Sequence, residues 1–283
     1  MSATLAGVVL AAGAGTRLAP LTALRPKALC PVGGIPLLDL ALRRLAARCG
    51  DGAAHLAVNT HHHADQITAH LAGRAHVNVE QPEALGTAGA LGALRDWIDG
   101  RDVFVTNADA FLPAGVTVRG GLTFSEGWDG ERCRLACVVV PASGDGASTP
   151  APGLADFRLP DGRGVRYVGA ALLPWRRVRD LPPTPSGLYE VLWRAQAEQA
   201  ALDLQVIDGP AIDCGTVADY LRANLVASGG RSVVGAGAVV HGRLTRSVVW
   251  DGARVSVDEH LVDVVRACGG GVTLTVGSGA AGG

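Results

Sequence analysis

Lysine is the scarcest charged residue in this chain. Its 283 residues include 25 lysines and arginines together, and reading along them finds a single lysine, Lys27. Everywhere else a cation is used, it is arginine. One ammonium among guanidiniums has two readings. It is either a leftover of a codon bias that also enriches alanine and glycine, or a place where a compact point charge is needed and a broad guanidinium does not fit. A charge excess is missing as well. The formal net charge is -1 and the pI is near 6.7. That excludes the global basic footprint of a nucleic-acid binder. No apolar run is long enough to span a membrane, and the N-terminus lacks a charged stretch followed by a long apolar core. The expectation is a soluble, cytoplasmic protein. The six cysteines form no C-x-x-C pair, so they read as reduced, mostly buried thiols. Cys133 and Cys137 stand directly before Val138–Val140. A strand there puts both on one face without making a metal site.

What is present alternates. Leu5–Ala11 is a short apolar run ended by Gly13 and Gly15, the pattern of a strand buried on both faces. Leucines at 37, 38, 42 and 45 predict a helix over Leu37–Ala47. Strands are expected at His55–Asn59, Val77–Glu80, Val103–Thr106, Leu135–Val140 and Tyr167–Leu173. Helices are expected at Ala64–Leu71, Ala88–Ile98, Leu188–Leu202 and Val217–Leu225. This alternation predicts an α/β fold with a doubly wound, mixed but mainly parallel sheet. The Gly-, Pro-, Ser- and Asp-rich stretch 142–164 reads as a surface loop. After Ser228 the character changes: "SVVGAGAVVHGRLTRSVVWDGARV" repeats small and apolar residues about every six, which suggests two or three imperfect coils of a left-handed β-helix. So short a piece must pack on the first domain or on a partner. Beyond Cys268 one weak strand and a frayed Gly-rich tail are expected.

The turn Gly13-Ala14-Gly15-Thr16-Arg17 follows the first strand. Glycine-rich turns at that edge of a sheet offer N–H groups to phosphate. The dinucleotide fingerprint G-x-G-x-x-G fails because position 18 is leucine, and no G-K-[ST] follows. With Arg17 and Lys27 bracketing the turn, a polyphosphate site is the better reading.

These residues carry a resemblance. "LAAGAGTRLAPLTALRPKAL" is similar to the signature of the sugar-1-phosphate nucleotidyltransferases, also called nucleotide-sugar pyrophosphorylases. "EQPEALGTAGAL" resembles their nucleobase-binding stretch and "AIDCGTVADYLRANL" their D-x-G-T segment. The resemblance implies a Rossmann-like catalytic domain over residues 1–226, then a hexapeptide segment over 227–267 and a tail over 268–283. It implies transfer of NMP from an NTP to a sugar 1-phosphate, with pyrophosphate leaving. Two anionic reactants must be neutralised and aligned. By the family pattern Arg17 would hold the β- and γ-phosphates and Lys27 the charge at the α-phosphate. Asp109, in "VFVTNADAFL", and Asp213 would hold Mg²⁺, with Mn²⁺ as a substitute. The family usually has Gly-Asp at the first of these; here it is Ala108-Asp109. Either aspartate could instead cap a helix.

The same resemblance assigns the nucleotide to Leu10, Ala11, Ala12, Gly13, Gly15, Thr16 and Arg17, with Gln81, Gly86 and Thr87. Thr87 either bonds ribose or base, or caps the helix that starts at Ala88. The sugar phosphate falls to Asp109, Gly169, Glu190 and Asp213. Many members carry a second lysine at the sugar phosphate, which this chain lacks; Arg163 or Arg166 could replace it, or both are solvated loop residues. His61-His62-His63 reads as an ordinary loop after a strand. "LGTAGAL" points to GTP or UTP. A homodimer or higher oligomer is expected, because a short β-helix leaves an apolar flank. The alternative is a non-catalytic relative that binds nucleotide sugars; loss of one of the four charged site residues would favour it, and none is lost. An oxidoreductase reading lacks the third glycine and a matching ribose-binding acid, and about three coils cannot build an acyl-CoA cleft.

Overall fold

The computed structural model describes residues 5–112, 117–118, 123–141 and 155–277. Among these, the main sheet runs in the order His76–Val79, Leu56–Thr60, Ala6–Leu10, Val103–Asn107, Gly164–Leu173, Arg134–Val139, Asp203–Asp208, Thr117–Val118. The first four strands are mutually parallel. The long strand Gly164–Leu173 lies antiparallel to both its neighbours. The expected mixed sheet is therefore found, with its one long reversed strand near the centre.

Each strand forms for a local reason. Ala6–Leu10 is apolar throughout and buried except at its last residue, as a strand covered on both faces must be. One face is covered by Leu38, Leu42 and Leu45 of the helix Leu37–Cys49 and by Ile67 and Leu71 of the helix Ala64–Leu71. The other face is covered by Leu91, Leu94, Ile98, Val178, Leu188 and Trp193. The architecture is thus helix, sheet, helix, and the sheet's polar C-terminal ends are left open.

Several expectations change in detail. The helix expected over 88–98 is two pieces, Gly86–Ala93 and Arg95–Ile98. Its glycines serve close packing: a Cβ on Gly89 would lie 2.2 Å from the Thr184 carbonyl oxygen, and one on Gly92 2.6 Å from that of Leu181. The helix expected over 188–202 is a π-helical turn, Tyr189–Trp193, followed by Arg194–Glu198. Within the expected loop 142–164, Phe157–Arg158 pairs with the long strand, and residues 142–154 lie outside the described residues. The strand Asp203–Asp208 was not expected; it lies parallel to Arg134–Val139.

The C-terminal segment builds three parallel ladders. Val233 pairs with Val248 and Val248 with Val265; Val239 pairs with Arg254; Arg243 pairs with His260. Successive layers are therefore 15 to 17 residues apart on three faces, consistent with a short β-helix. The expected last strand is Val272–Gly277, antiparallel to Val264–Gly269. Residues 278–283 of the expected tail lie outside the described residues.

Five cysteines are buried and Cys268 is half-buried. Burial raises the thiols of Cys30, Cys49 and Cys137 to about 12 and that of Cys133 to about 11, and raises Cys214 too. A thiol is reactive only as thiolate and only where a reagent reaches it. In the native protein at pH 8 a disulfide reagent should therefore label Cys268 well before the other five, which react after denaturation. Rapid native labelling of Cys30 or Cys214, read by peptide mass mapping, would contradict this burial.

Candidate active site

The strand Ala6–Leu10 leads into a loop of three short 3₁₀ turns, Thr16–Leu18, Leu21–Ala23 and Lys27–Leu29. Leu18 and Leu21 are fully buried and anchor it. The Thr22 hydroxyl donates to the Gly15 carbonyl at 3.2 Å. Gly15 has φ +66°, and a Cβ there would lie 3.0 Å from Lys27 Cβ. The turn therefore closes against the lysine stem, and the two loop cations are arranged by one glycine.

The carboxylates come from a second device. Ile212–Asp213 pairs antiparallel with Ala110–Phe111, placing Asp213 opposite Ala110, and the Cys214 N–H donates to the Asp109 carbonyl at 3.0 Å. Asp109 and Asp213 are thereby held side by side at the end of the strand Val103–Asn107. Lys27 Nζ donates to Asp109 Oδ2 and stands 3.7 Å from Asp213 Oδ1. Arg17 Nη2 stands 3.4 Å from Asp213 Oδ2. Gly215 makes room for that guanidinium, since a Cβ would meet Arg17 Nη2 at 2.7 Å. The four charged residues singled out in the sequence meet at one point. Neither aspartate caps a helix. Thr216 is the cap of Val217–Ala227, accepting from the Asp219 N–H at 3.1 Å while its hydroxyl donates to Asp219 Oδ2. Asp109 precedes a strand, not a helix.

Two turns that the resemblance assigned to the nucleotide are tied together by residues that sequence reasoning passed over. The Ala11 N–H donates to Asn59 Oδ1 at 2.8 Å, Asn59 Nδ2 donates to Glu80 Oε1 at 2.7 Å, and the Leu85 N–H donates to Glu80 Oε2 at 2.8 Å. Asn59 and Glu80 are each 2% exposed. This buried, satisfied chain fixes the Ala11–Gly13 turn against the Gln81–Gly86 turn. A polar residue ending an apolar strand, "AVNT", was the available signal. Gln81 and Gly86 are exposed beside it. The Thr87 hydroxyl takes neither expected role as a cap nor stands free: it accepts from the Leu188 N–H at 2.8 Å, in a helix that begins at Gly86. His61 is engaged by the Glu80 carbonyl, 2.9 Å from its Nδ1.

A cavity of about 470 Å³ opens beside the carboxylates, lined among others by Arg17, Asn107, Asp109, Arg166, Gly169 and Asp213. Of the residues assigned to the sugar phosphate, Gly169 lines this cavity with the two aspartates, and Glu190 is not in its lining. Glu190 lies on the exposed face of Tyr189–Trp193, its carboxylate folded over Gly187. The structure also separates the two candidate arginines. Arg163 is bound to Asp161 on the loop, whereas Arg166 lines the cavity and makes no ion pair with a described residue. Beneath the floor, Arg44 donates to the Thr106 hydroxyl at 2.7 Å and to the Ala110 carbonyl at 3.0 Å. Thr106 donates in turn to the Gly169 carbonyl at 2.9 Å. Burial lowers the Arg44 guanidinium to about 10.

Residues 6–118 match the family model of the nucleotidyl transferases. Over 143 residues the chain is 38% identical to the N-acetylmuramate alpha-1-phosphate uridylyltransferase of Caulobacter vibrioides, an alignment covering 47% of this chain and 57% of that protein. The chain therefore matches just over half the length of this curated relative. Among solved structures, HddC from Yersinia pseudotuberculosis complexed with GMP-PN superposes with a TM-score of 0.57 at 20% identity, over 78% of this chain and 98% of that one. A UDP-glucose pyrophosphorylase complexed with UDP-glucose gives 0.55 at 17% identity, over 81% and 100%. These likenesses establish the nucleotidyl transferase fold. The family match holds Arg17, Lys27 and Asp109; Asp213 and Gly215 lie beyond it and reach the domain's site through the short antiparallel pairing.

Gly169 has φ +79°, and a Cβ there would lie 2.8 Å from Ala110 Cβ. Gly169→Ala should therefore lower unfolding stability by about 1–3 kcal/mol, from backbone strain plus the clash. Urea denaturation measures this; a change under about 0.5 kcal/mol, the ordinary surface range, would show that the approach is not tight.

Proposed function

We propose that this protein transfers a nucleotidyl group from an NTP to a sugar 1-phosphate. The observation that carries the reading is the convergence of Arg17 and Lys27 on Asp109 and Asp213 at the mouth of a cavity, at the C-terminal ends of the parallel strands. That edge is where open α/β sheets bind ligands. In the reaction a phosphate oxygen of the sugar phosphate bonds to the α-phosphorus of the NTP. The bond from that phosphorus to the bridging oxygen breaks, and pyrophosphate departs with the electron pair.

Both reactants are anions, so positioning and charge neutralisation are the protein's main tasks. Arg17, whose side chain is exposed, suits the β- and γ-phosphates. Lys27, with an 11% exposed side chain, is held where charge builds at the α-phosphorus and acts as a point charge. Two carboxylates already gathered by one ammonium form an all-oxygen donor set that fits Mg²⁺ or Mn²⁺. Such an ion, held by Asp109 and Asp213, would neutralise phosphate oxygens. Arg166 is the cation left to the acceptor phosphate, in place of the lysine this chain lacks. The uridylyltransferase name of the 38% identical relative and the GMP-PN held by HddC support UTP and GTP as donors. The relative's name makes N-acetylmuramate α-1-phosphate an acceptor to test early.

The test is pyrophosphate release from a matrix of NTPs and sugar 1-phosphates, with and without EDTA. Release should depend on both substrates and vanish with the chelator; turnover undiminished by EDTA would remove the metal from the proposal. Absence of release from every pair would overturn the reaction itself.

Lys27 gives the sharper prediction. Lys27→Arg keeps the charge but shifts and spreads it, and a displacement of about 1 Å can cost roughly 100-fold in rate. The variant should lose kcat on that order while its melting temperature barely moves, with NTP binding affected less than turnover. Activity within about twofold of the parent would return the lone lysine to codon bias.

A further inference from the structure

We infer that Trp250, with Arg25 and Tyr220, is a positioning device for the Lys27 loop, so that the C-terminal coil is a working part of the active site. The inference rests on the proposed reaction for its catalytic consequence, though not for the clamp itself.

The loop has little structure of its own. Three single 3₁₀ turns supply few internal hydrogen bonds, and such turns are weakly cohesive. Ala28 and Leu29 pack into the core on one face of the main sheet, but Leu18, Leu21 and Cys30 enter a core separate from those on the sheet's two faces. That core joins Leu18, Leu21 and Cys30 to Ile212, Val217 and Tyr220, and to Val248, Trp250, Val265 and Val276 of the C-terminal coil. Three stretches far apart in sequence therefore share one interior. Much of what buries Leu18, Leu21 and Cys30 comes from the other two.

Trp250 touches the loop system on both sides of Lys27. Upstream, the Arg25 guanidinium lies over the indole with its carbon 4.2 Å from the ring centroid, a cation–π contact against a fully buried ring. Nearby, Gly269 brings the coil against Leu24, where a Cβ would lie 3.3 Å from Leu24 Cβ. Downstream, the Trp250 Nε1–H donates to the Tyr220 hydroxyl at 3.0 Å, and that hydroxyl donates to the Pro31 carbonyl. Asn224, one helical turn on, accepts from the Gly33 N–H at 3.0 Å. Positions 25 and 31 are thus both referred to one indole, and Lys27 lies between them. Indole, phenol and carbonyl are buried and hydrogen-bonded in series, an arrangement whose geometry is closely specified. A residue fixed in this way controls where Nζ falls relative to Asp109 and Asp213. Shifts well below an ångström there matter to rate more than to binding.

Arg25→Gln, Arg25→Lys, Trp250→Leu and the double variant Arg25→Gln/Trp250→Leu test this in the full-length chain. Arg25 is half-buried at the surface, so its variants keep the fold even if Trp250→Leu does not. Arg25→Gln should lower kcat by about tenfold with KM for the NTP changed less than about threefold, and Arg25→Lys should recover most of it by restoring a cation over the ring. If the two residues act through each other, the double variant should be no slower than the slower single one. Hydrogen exchange supplies a readout independent of activity. In Arg25→Gln the amides of residues 16–31 should exchange faster while those of Val103–Asn107 do not change. Unchanged exchange together with kcat within about twofold of the parent would overturn the inference. So would a rise in KM alone, which would place Arg25 on substrate, or additive losses in the double variant. A parent inactive on every substrate pair, with faster loop exchange in the variants, would leave the clamp standing and the reaction overturned.

Discussion

Two carboxylates held side by side repel, and a short pairing of Ile212–Asp213 with Ala110–Phe111 holds them so regardless. Lys27 is what makes this tolerable. Its ammonium lies between Asp109 and Asp213 on a stem that is largely shielded from water, where a charge contact is screened less than at the surface. Much else follows from that one placement. Gly15 must lack a side chain because the lysine stem lies on it, and Gly215 must lack one because Arg17 lies over it. The same anions that hold the ammonium are the donor set proposed for a divalent ion.

The polar network behind the site serves a different end. Asn59 and Glu80 are buried, and they hold two turns at a fixed separation through bonds to main-chain N–H groups. Arg44 does the same beside the cavity, through Thr106 and Ala110. In both places a buried polar side chain sets the distance between two backbone segments. Backbone atoms then present the surface on which ligands are read. This division suits a fold whose variable part is what the turns recognise, since the supporting groups need not change with the substrate.

The four charged site residues and the buried parallel strands were legible because each leaves a local mark. A run such as "AGVVL" can hardly be anything but a covered strand, and the Gly-rich turn with two cations announces itself. The helix Ala64–Leu71 was read to the residue. What escaped depended on contacts between distant segments. Asp203–Asp208 mixes polar and apolar residues without a turn signal and becomes a strand only because Arg134–Val139 lies beside it. The alanine-rich stretch after Leu188 looked like one long helix, yet it buries only Trp193 and Gln196 and ends early. Glu190 sat at a plausible spacing, and the structure leaves it exposed and outside the cavity lining. Thr87 was weighed between ligand and cap, and its partner Leu188 lies on an element that no local pattern could bring to it.

The core that joins the loop to the C-terminal coil also has a meaning in time. A chain emerges from the ribosome N-terminus first, and domains tend to fold as their sequence appears. The Lys27 loop is made well before Val248, Trp250 and Val265, with which it shares a core. Until those residues emerge, Leu18 and Leu21 have only part of the interior that buries them. A nascent chain that has not yet reached Val248 would therefore own Arg17, Lys27, Asp109 and Asp213 without part of the core behind their loop. The C-terminal coil is, in effect, what turns four charges into a fixed arrangement.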